Sequence, residues 1–225
     1  MDNLNIKAFG GLVFLLLVME ALLFLPAGTL DYWQAWAFLS VFGISALAIT
    51  VYLMKKDPKL LERRVYAGPT AEKETSQKII QTLTAMSFIA TLVAPALDHR
   101  FGWSTVLLSV VIAGDVLVAL GFLIVFSVYK ENTFASATIE VYADQKVIST
   151  GLYAVVRHPM YFGGLLIFVG IPLSLGSWWG LFGIALFMPM GVWRIVDEEN
   201  FLSKNLPGYS EYKSKVRHRL IPFIW

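Results

Sequence analysis

Two charged clusters in the last third of the chain contain residue types that could bind ligands or take part in chemistry. The first is Arg157-His158-Pro159, and the second contains Arg194 and Glu198. Both clusters border apolar segments that are long enough, as a pair, to enter a membrane. Ionisable groups are costly in lipid unless they line a site or meet partners. We therefore look for the function in this part of the chain.

The Arg157-His158-Pro159 cluster has the pattern of a helix start. Proline is favoured in the first turn of a helix, so His158 is predicted to occupy the entry position. The partial positive charge of a helix N-terminus, with arginine and histidine beside it, favours an anion site. On these residues alone, a membrane helix with a snorkelling Arg157 and an interfacial Tyr161 explains the pattern equally well.

The second cluster favours a functional site over that alternative. Arg194 and Glu198 are four residues apart and therefore project from one face of a helix. This helix is predicted to return to the surface where the preceding one began, so the pair can meet His158 and Tyr161 in one layer. An isolated exposed pair would contribute only about 0.3–0.5 kcal/mol. Opposite such a helix start, the pair predicts a site divided between two helices.

Other kinds of site are poorly supported by the composition. The chain has no cysteine and three histidines on different segments, so we predict no metal site. The net charge is only +2, and acidic residues are mixed with the basic ones. We therefore predict no nucleic-acid partner.

The hydropathy of the chain is that of an integral membrane protein. Of its 225 residues, 57% are hydrophobic, and the mean hydropathy is +0.65. Four apolar runs approach or exceed the ~20 residues that span a bilayer as a helix: Ala8–Leu25, Tyr32–Met54, Ile79–Leu97 and Thr105–Tyr129. Two shorter runs, Tyr161–Leu175 and Trp178–Val196, predict a tight hairpin that crosses the bilayer or enters it part-way.

These runs predict an all-α fold, a polytopic membrane helix bundle of about six spans including the C-terminal hairpin. Residues 1–129 form the four-helix transmembrane region. Residues 130–225 contain a long loop, the hairpin and a cytoplasmic tail, and both parts belong to one integral domain. With both termini inside, every lysine and arginine except Arg100 lies on the cytoplasmic side. We therefore expect the site at the cytoplasmic face.

Two loops and two acidic residues complete the predicted organisation. The Lys55–Lys78 loop is interpreted as a cytoplasmic connector. The Lys130–Val156 segment is long for a helix connection and rich in β-branched and aromatic residues, so we expect it to be functional and not disordered. Glu20 and Asp115 lie within predicted spans, where polar contacts between helices are favoured over catalytic roles.

The segment Val147–Trp225 resembles the isoprenylcysteine carboxyl methyltransferase family and its bacterial and archaeal relatives. The resemblance covers about a third of the chain and depends on the order of several short motifs. These are Gly151-x-Tyr153, Arg157-His158-Pro159-x-Tyr161-x-Gly163, Arg194-x-x-x-Glu198-Glu199-x-x-Leu202, Tyr209-x-x-Tyr212 and Ile221-Pro222-Phe223-Ile224.

The resemblance implies a methyltransferase that uses S-adenosyl-L-methionine, is built wholly from membrane helices and acts on a lipid-like acceptor. It implies that the cofactor is contacted by Gln145, Lys146, Val147, Ile148, Tyr153, His158, Pro159, Met160, Tyr161 and Glu198. Arg194 would hold the acceptor carboxylate, and a polar residue near Thr138 would also meet the cofactor. A carboxylate has no proton to lose, so catalysis is chiefly positioning. Arginine offers a planar fork that binds a carboxylate bidentately.

Several alternatives stay open at the level of the sequence. Phospholipid amine methylation is possible within the same superfamily. Membrane sterol-reductase-like enzymes share the C-terminal layout but use NADPH, and a non-catalytic membrane scaffold leaves the convergence of charges unexplained. With only six predicted spans the chain resembles the compact prokaryotic members, so we expect a prokaryotic cytoplasmic membrane. Membrane lipids are the expected surroundings, and the oligomeric state is left open.

Overall fold

The protein folds into a bundle of α-helices, as a computed structural model shows for residues 2–225. Across these residues there are eight α-helices and no β-strand. The helices are α1 (Asp2–Ala27), α2 (Trp33–Lys56), α3 (Pro58–Val65), α4 (Thr75–Phe101), α5 (Leu108–Glu131), α6 (Pro159–Ser174), α7 (Phe182–Asn205) and α8 (Tyr209–Lys215). The prediction of an all-α polytopic bundle is confirmed.

Five of the helices are long and apolar enough to cross a membrane, namely α1, α2, α4, α5 and α7. The sixth apolar helix, α6, has only 16 residues. At ~1.5 Å per residue it extends about 24 Å, less than the ~30 Å thickness of the hydrocarbon core. The predicted hairpin is therefore formed by one short and one long helix. The long one, α7, continues nine residues beyond the predicted end at Val196 because hydropathy marks contact with lipid and not the end of a helix.

Glycines allow the backbones of α5 and α6 to pack directly against each other. A Cβ atom added at Gly114 would lie 2.2 Å from the backbone nitrogen of Ser174, and one added at Gly163 would lie 2.8 Å from the carbonyl oxygen of Gly121. Larger side chains there would push the helices apart. Gly163 serves this close approach, whereas Gly164 has open space beside it. The packing fixes α6, which begins at the end of the first charged cluster.

Buried polar contacts fix the turn between α6 and α7. The Tyr32 hydroxyl donates to the carbonyl oxygen of Leu175 at 2.7 Å, and the Tyr32 ring is stacked on His99 at 3.9 Å. The Ser177 hydroxyl donates to Asp98 of α4. This end of the hairpin is thus attached to α2 and α4, and the opposite end carries the charged residues.

The short helix α3 was not predicted, and it holds the long loop that follows α5. Asp57 caps α3 by accepting from the Leu60 amide at 3.0 Å. Arg63 lies with its guanidinium carbon 3.9 Å from the centre of the Tyr142 ring, and Arg64 donates to the carbonyl oxygen of Ser136 at 3.0 Å. The loop is therefore held by specific contacts, although it has no regular secondary structure over most of its length.

The predicted polar contacts of the two acidic residues within the spans, Asp115 and Glu20, are tested to different extents by the structure. Asp115 on α5 has a buried carboxylate oxygen without a hydrogen-bond partner within residues 2–225, so the expected polar contact between helices is wrong for that atom. Glu20 on α1 is half-buried, and its role stays a prediction.

Candidate active site

A pocket opens at the end of the bundle where α6 begins and α7 ends. The space between its lining residues that is not filled by atoms is about 780 Å³, a volume that includes open solvent at its mouth. All the cofactor residues suggested by the resemblance line it: Gln145, Lys146, Val147, Ile148, Tyr153, His158, Pro159, Met160, Tyr161 and Glu198. Thr138 lines it as well. The structure thus brings together residues from the long loop, the start of α6 and the end of α7.

The start of α6 has the predicted geometry. His158 is the N-cap residue and Pro159 occupies the first helical position. The backbone of the C-terminal tail is bonded to this turn, since the His158 amide donates to the carbonyl oxygen of Arg219 at 2.8 Å. The Arg157 guanidinium is not free to receive an anion because it donates to Glu199 and to the carbonyl oxygens of Val216 and Arg217.

Glu199 is the buried centre of this arrangement, with 1% of its side chain exposed. Its Oε1 accepts from Arg157 Nε at 2.6 Å and lies 3.3 Å from His158 Nε2. Its Oε2 accepts from Arg219 Nε at 3.0 Å. One carboxylate therefore joins the start of α6, the end of α7 and the C-terminal tail. Glu199 is part of the quoted motif but was given no role. Because adjacent residues on a helix point in different directions, its position next to Glu198 was a signal that Glu199 contacts other partners.

Glu198 and Tyr161 form the inner wall of the pocket. The Tyr161 hydroxyl donates to Glu198 Oε2 at 2.6 Å. The same hydroxyl oxygen accepts from Arg194 Nε at 3.1 Å. The predicted convergence of α6 and α7 side chains is therefore present, with Tyr161 as the bridge between the acidic and the basic residue.

Arg194 lies beyond Tyr161, outside the set of residues that line the pocket. Its guanidinium forms an ion pair with Glu72 at 2.8 Å and donates to Gln77 Oε1 at 2.7 Å and to the carbonyl oxygen of Ala137 at 2.9 Å. The interpretation of the Lys55–Lys78 loop as a connector missed Glu72, which is 5% exposed. One acidic residue among several in a charged loop gave no signal of this contact, because only the tertiary fold brings the loop against α7.

The pocket mouth carries a second carboxylate, that of Glu140. Burial raises the pKa of Glu140, but hydrogen bonds from Tyr142, Thr138 and Ser136 outweigh it and lower the pKa below the usual range. Glu140 is therefore ionised near neutral pH. Together with Glu198, it places negative charge on two sides of the pocket.

Comparison of the chain with known protein families supports a methyltransferase. A family model described as phospholipid methyltransferase matches residues 109–207, from the first turn of α5 to the residue pair after α7. No curated protein matches the chain. Methyltransferases of the matched family take their methyl group from S-adenosyl-L-methionine. The protein is thus a membrane methyltransferase that uses this donor, and the nicotinamide and non-catalytic alternatives are set aside.

The groups in the pocket fit this methyl donor. S-Adenosyl-L-methionine carries a sulfonium and an ammonium group, which the carboxylates of Glu140 and Glu198 would attract. It also carries a carboxylate, which could accept hydrogen bonds from backbone N–H groups in the first turn of α6. Its adenine ring needs apolar and aromatic surface, which Val147, Leu202 and Tyr209 supply.

Proposed function

We propose that the protein transfers a methyl group from S-adenosyl-L-methionine to the carboxylate of a lipid-like acceptor at the cytoplasmic boundary of the membrane. The observation that carries the proposal is the position of Tyr161, which lines two cavities of opposite character. One is the polar pocket described above. The other is an apolar groove between α6 and α7. A polar methyl donor and a lipid chain could therefore meet at this side chain.

The apolar groove is suited to a hydrocarbon chain. Its lining is almost wholly apolar and consists of Tyr161, Leu165, Phe187, Met188, Gly191, Val192, Ile195, Leu220 and Trp225. Gly191 has open space where a side chain would project. A lipid could enter sideways from the bilayer and place its polar end beside Tyr161 and Arg194, while the methyl donor binds from the aqueous side.

The contact between Arg194 and Glu72 supports a carboxylate as the acceptor. Arg194 already binds one carboxylate, and that carboxylate belongs to a loop and not to a helix. An acceptor carboxylate that replaced Glu72 would find the same donors on Arg194. One of its oxygens would attack the methyl carbon as the bond from carbon to sulfur breaks. No proton is released, so no general base is required.

A second candidate acceptor is a phospholipid amine, which the description of the matched family favours. In that case Glu72 and Glu198 would attract the headgroup ammonium, and Arg194 would bind the phosphate. The two candidates differ in what they require of Glu72: a carboxylate acceptor competes with it, whereas an amine acceptor is held by it.

Filling the groove should block the acceptor but not the cofactor. A Cβ atom added at Gly191 would meet no atom within 4 Å, so we expect Gly191→Leu to keep the fold while its side chain fills the groove. We expect methyl transfer in membranes to fall by roughly tenfold or more, because overpacking an apolar site typically costs about 1–3 kcal/mol and the acceptor chain would meet this cost in the filled groove. Binding of S-adenosyl-L-methionine, measured by calorimetry on detergent-purified protein, should stay within about twofold, less than ~0.5 kcal/mol.

Gly164→Leu is the matched control for this substitution. Gly164 lies on α6 with equally open space at its Cβ position, but it is not part of the groove. Its replacement should leave both measurements unchanged. Equal activity of the two leucine variants would contradict the placement of the acceptor chain in the groove.

Replacing Glu72 should separate the two acceptor classes. In Glu72→Gln a carboxylate acceptor no longer competes with a charged group for Arg194, so its KM should fall by roughly tenfold, the value of a charged hydrogen bond. An amine acceptor would lose an anionic partner, and its KM should rise. The assay offers a panel of lipid-linked carboxylates, prenylated thiols and amine phospholipids to membranes with labelled methyl donor.

Glu74→Gln serves as the control for Glu72→Gln because it removes the same charge from an exposed position in the same loop. It should leave the KM for every acceptor unchanged. A KM for lipid carboxylates that rises in Glu72→Gln would count against the carboxylate assignment.

A further inference from the structure

One buried polar group in the pocket has no partner, the hydroxyl of Tyr209. Tyr209 is 4% exposed and lines the pocket, and its hydroxyl oxygen makes no hydrogen bond within the described residues 2–225. A buried hydroxyl without a partner is unfavourable, and such a group in a binding pocket is often matched by the ligand. Burial, followed by the charges of Glu199 and Glu198, raises the pKa of Tyr209 above its usual range. The group therefore stays a neutral phenol, which can donate a hydrogen bond.

The neighbouring Tyr212 is a tyrosine of the same pocket whose hydroxyl does have a hydrogen-bond partner. It also lines the pocket and is 6% exposed, but its hydroxyl donates to the carbonyl oxygen of Tyr153 at 2.7 Å. Tyr212 is thus attached to the turn before α6. The difference between the two side chains indicates that Tyr212 supports the fold, whereas Tyr209 has a donor available.

Apolar side chains pack against Tyr209. They lie at one end of a line of residues that runs along α7. Residues 194, 198 and 202 of α7 follow one another at four-residue spacing, about 6 Å per step along a helix, and Leu206 is the residue just after the end of α7. The line begins with the charged Arg194 and Glu198 and ends with Leu202 and Leu206. Both leucines belong to a small apolar cluster with Tyr209 and Val147. The pocket therefore changes from charged to apolar with distance from the acceptor side.

We propose that the adenine ring of S-adenosyl-L-methionine binds in the apolar slot formed by Val147, Leu202, Leu206 and Tyr209, and that the Tyr209 hydroxyl donates a hydrogen bond to a ring nitrogen. This inference rests on the proposed role of the pocket in cofactor binding. With adenine in the slot, the sulfonium end lies towards Tyr161 and Glu198, next to the groove of the acceptor. The slot would select a planar, uncharged heterocycle with a hydrogen-bond acceptor on its edge.

The test compares the affinity of Tyr209→Phe for two probes, S-adenosylhomocysteine and methylthioadenosine. The second probe has the adenosine but lacks the amino-acid end. Loss of one hydrogen bond should weaken both probes by the same factor, about threefold to tenfold. The thermal midpoint of the ligand-free variant should be unchanged or higher because no existing bond is removed. In Tyr212→Phe the midpoint should fall instead.

The other outcomes have distinct meanings. If Tyr209→Phe weakens S-adenosylhomocysteine but not methylthioadenosine, Tyr209 contacts the amino-acid end and the adenine placement is overturned. If neither affinity changes, the hydroxyl is not a cofactor contact. Glu198→Gln distinguishes that result from a failure of the pocket assignment: if it still weakens S-adenosylhomocysteine, only the adenine slot is wrong, and if it does not, the pocket itself is wrongly assigned.

Discussion

Arg194→Lys should lower the rate of methyl transfer to a carboxylate acceptor by about a hundredfold, the typical cost of losing one well-placed donor to reacting oxygens. Lysine keeps the charge but lacks the planar fork that binds two oxygens at once. It also cannot bridge Glu72, Gln77 and the Ala137 carbonyl oxygen as the guanidinium does. The measurement is single-turnover transfer of labelled methyl groups in membranes, with cofactor affinity measured in parallel.

Cofactor affinity should change much less in Arg194→Lys, within about threefold or ~0.7 kcal/mol, because Arg194 lies outside the pocket proposed for the cofactor. Arg100→Lys is the control, since Arg100 is an exposed arginine in the last turn of α4, at the end of the bundle away from the pocket. It should retain most of the activity. If only phospholipid amines are methylated and Arg194→Lys has no effect, the acceptor is not a carboxylate, although the protein is still a methyltransferase.

Glu199→Gln should destabilise the fold more than any other substitution at the site. The Glu199 carboxylate is buried and accepts from Arg157 and Arg219, with His158 also in contact. Breaking a buried ion pair on one side typically costs about 3–5 kcal/mol because the remaining charge is left without a partner. We expect a loss of about 3 kcal/mol in the free energy of unfolding. Chemical unfolding in detergent, followed by tryptophan fluorescence, measures it.

The adjacent glutamate provides the control for Glu199→Gln. Glu198 is half-buried, and its hydrogen bond comes from the neutral Tyr161 hydroxyl, so Glu198→Gln leaves no cation unpaired. It should keep the stability of the fold and weaken the binding of S-adenosyl-L-methionine. If the two variants are equally stable, the interpretation of Glu199 as the centre of the buried cluster is wrong.

Gln145–Ile148 and Tyr153 were expected at the site because of the resemblance to a known family, and the start of α6 because of its own residue pattern. Gln145–Ile148, Tyr153 and the start of α6 lie within one short segment, and the backbone of a loop followed by a helix turn brings them to one side. Glu198 was predictable from its spacing to Arg194 together with the turn that reverses the chain between α6 and α7. All of these residues line the same pocket in the structure.

The residues that sequence reasoning missed are those whose partners are distant in the chain. Glu72 was interpreted as part of a connector, yet it lies against Arg194 on α7. Tyr209 was quoted as part of a motif, yet nothing in the motif indicated that its hydroxyl would be buried without a partner. Helix ends were also displaced, as at α7, since the apolar pattern stops where lipid contact stops while helical hydrogen bonding continues.

The sequence by itself determined the class of fold, the hairpin, and the local geometry of the α6 start, because hydropathy, chain reversal and proline placement act over short distances. Only the tertiary structure decided which ionisable groups meet. It assigned Glu199 to a buried cluster of cations, gave Arg194 a carboxylate partner from a loop, and placed Tyr161 between a polar pocket and an apolar groove. The reason is physical: neighbouring side chains on a helix point in different directions, and the contacts of each depend on which other segments pack beside it.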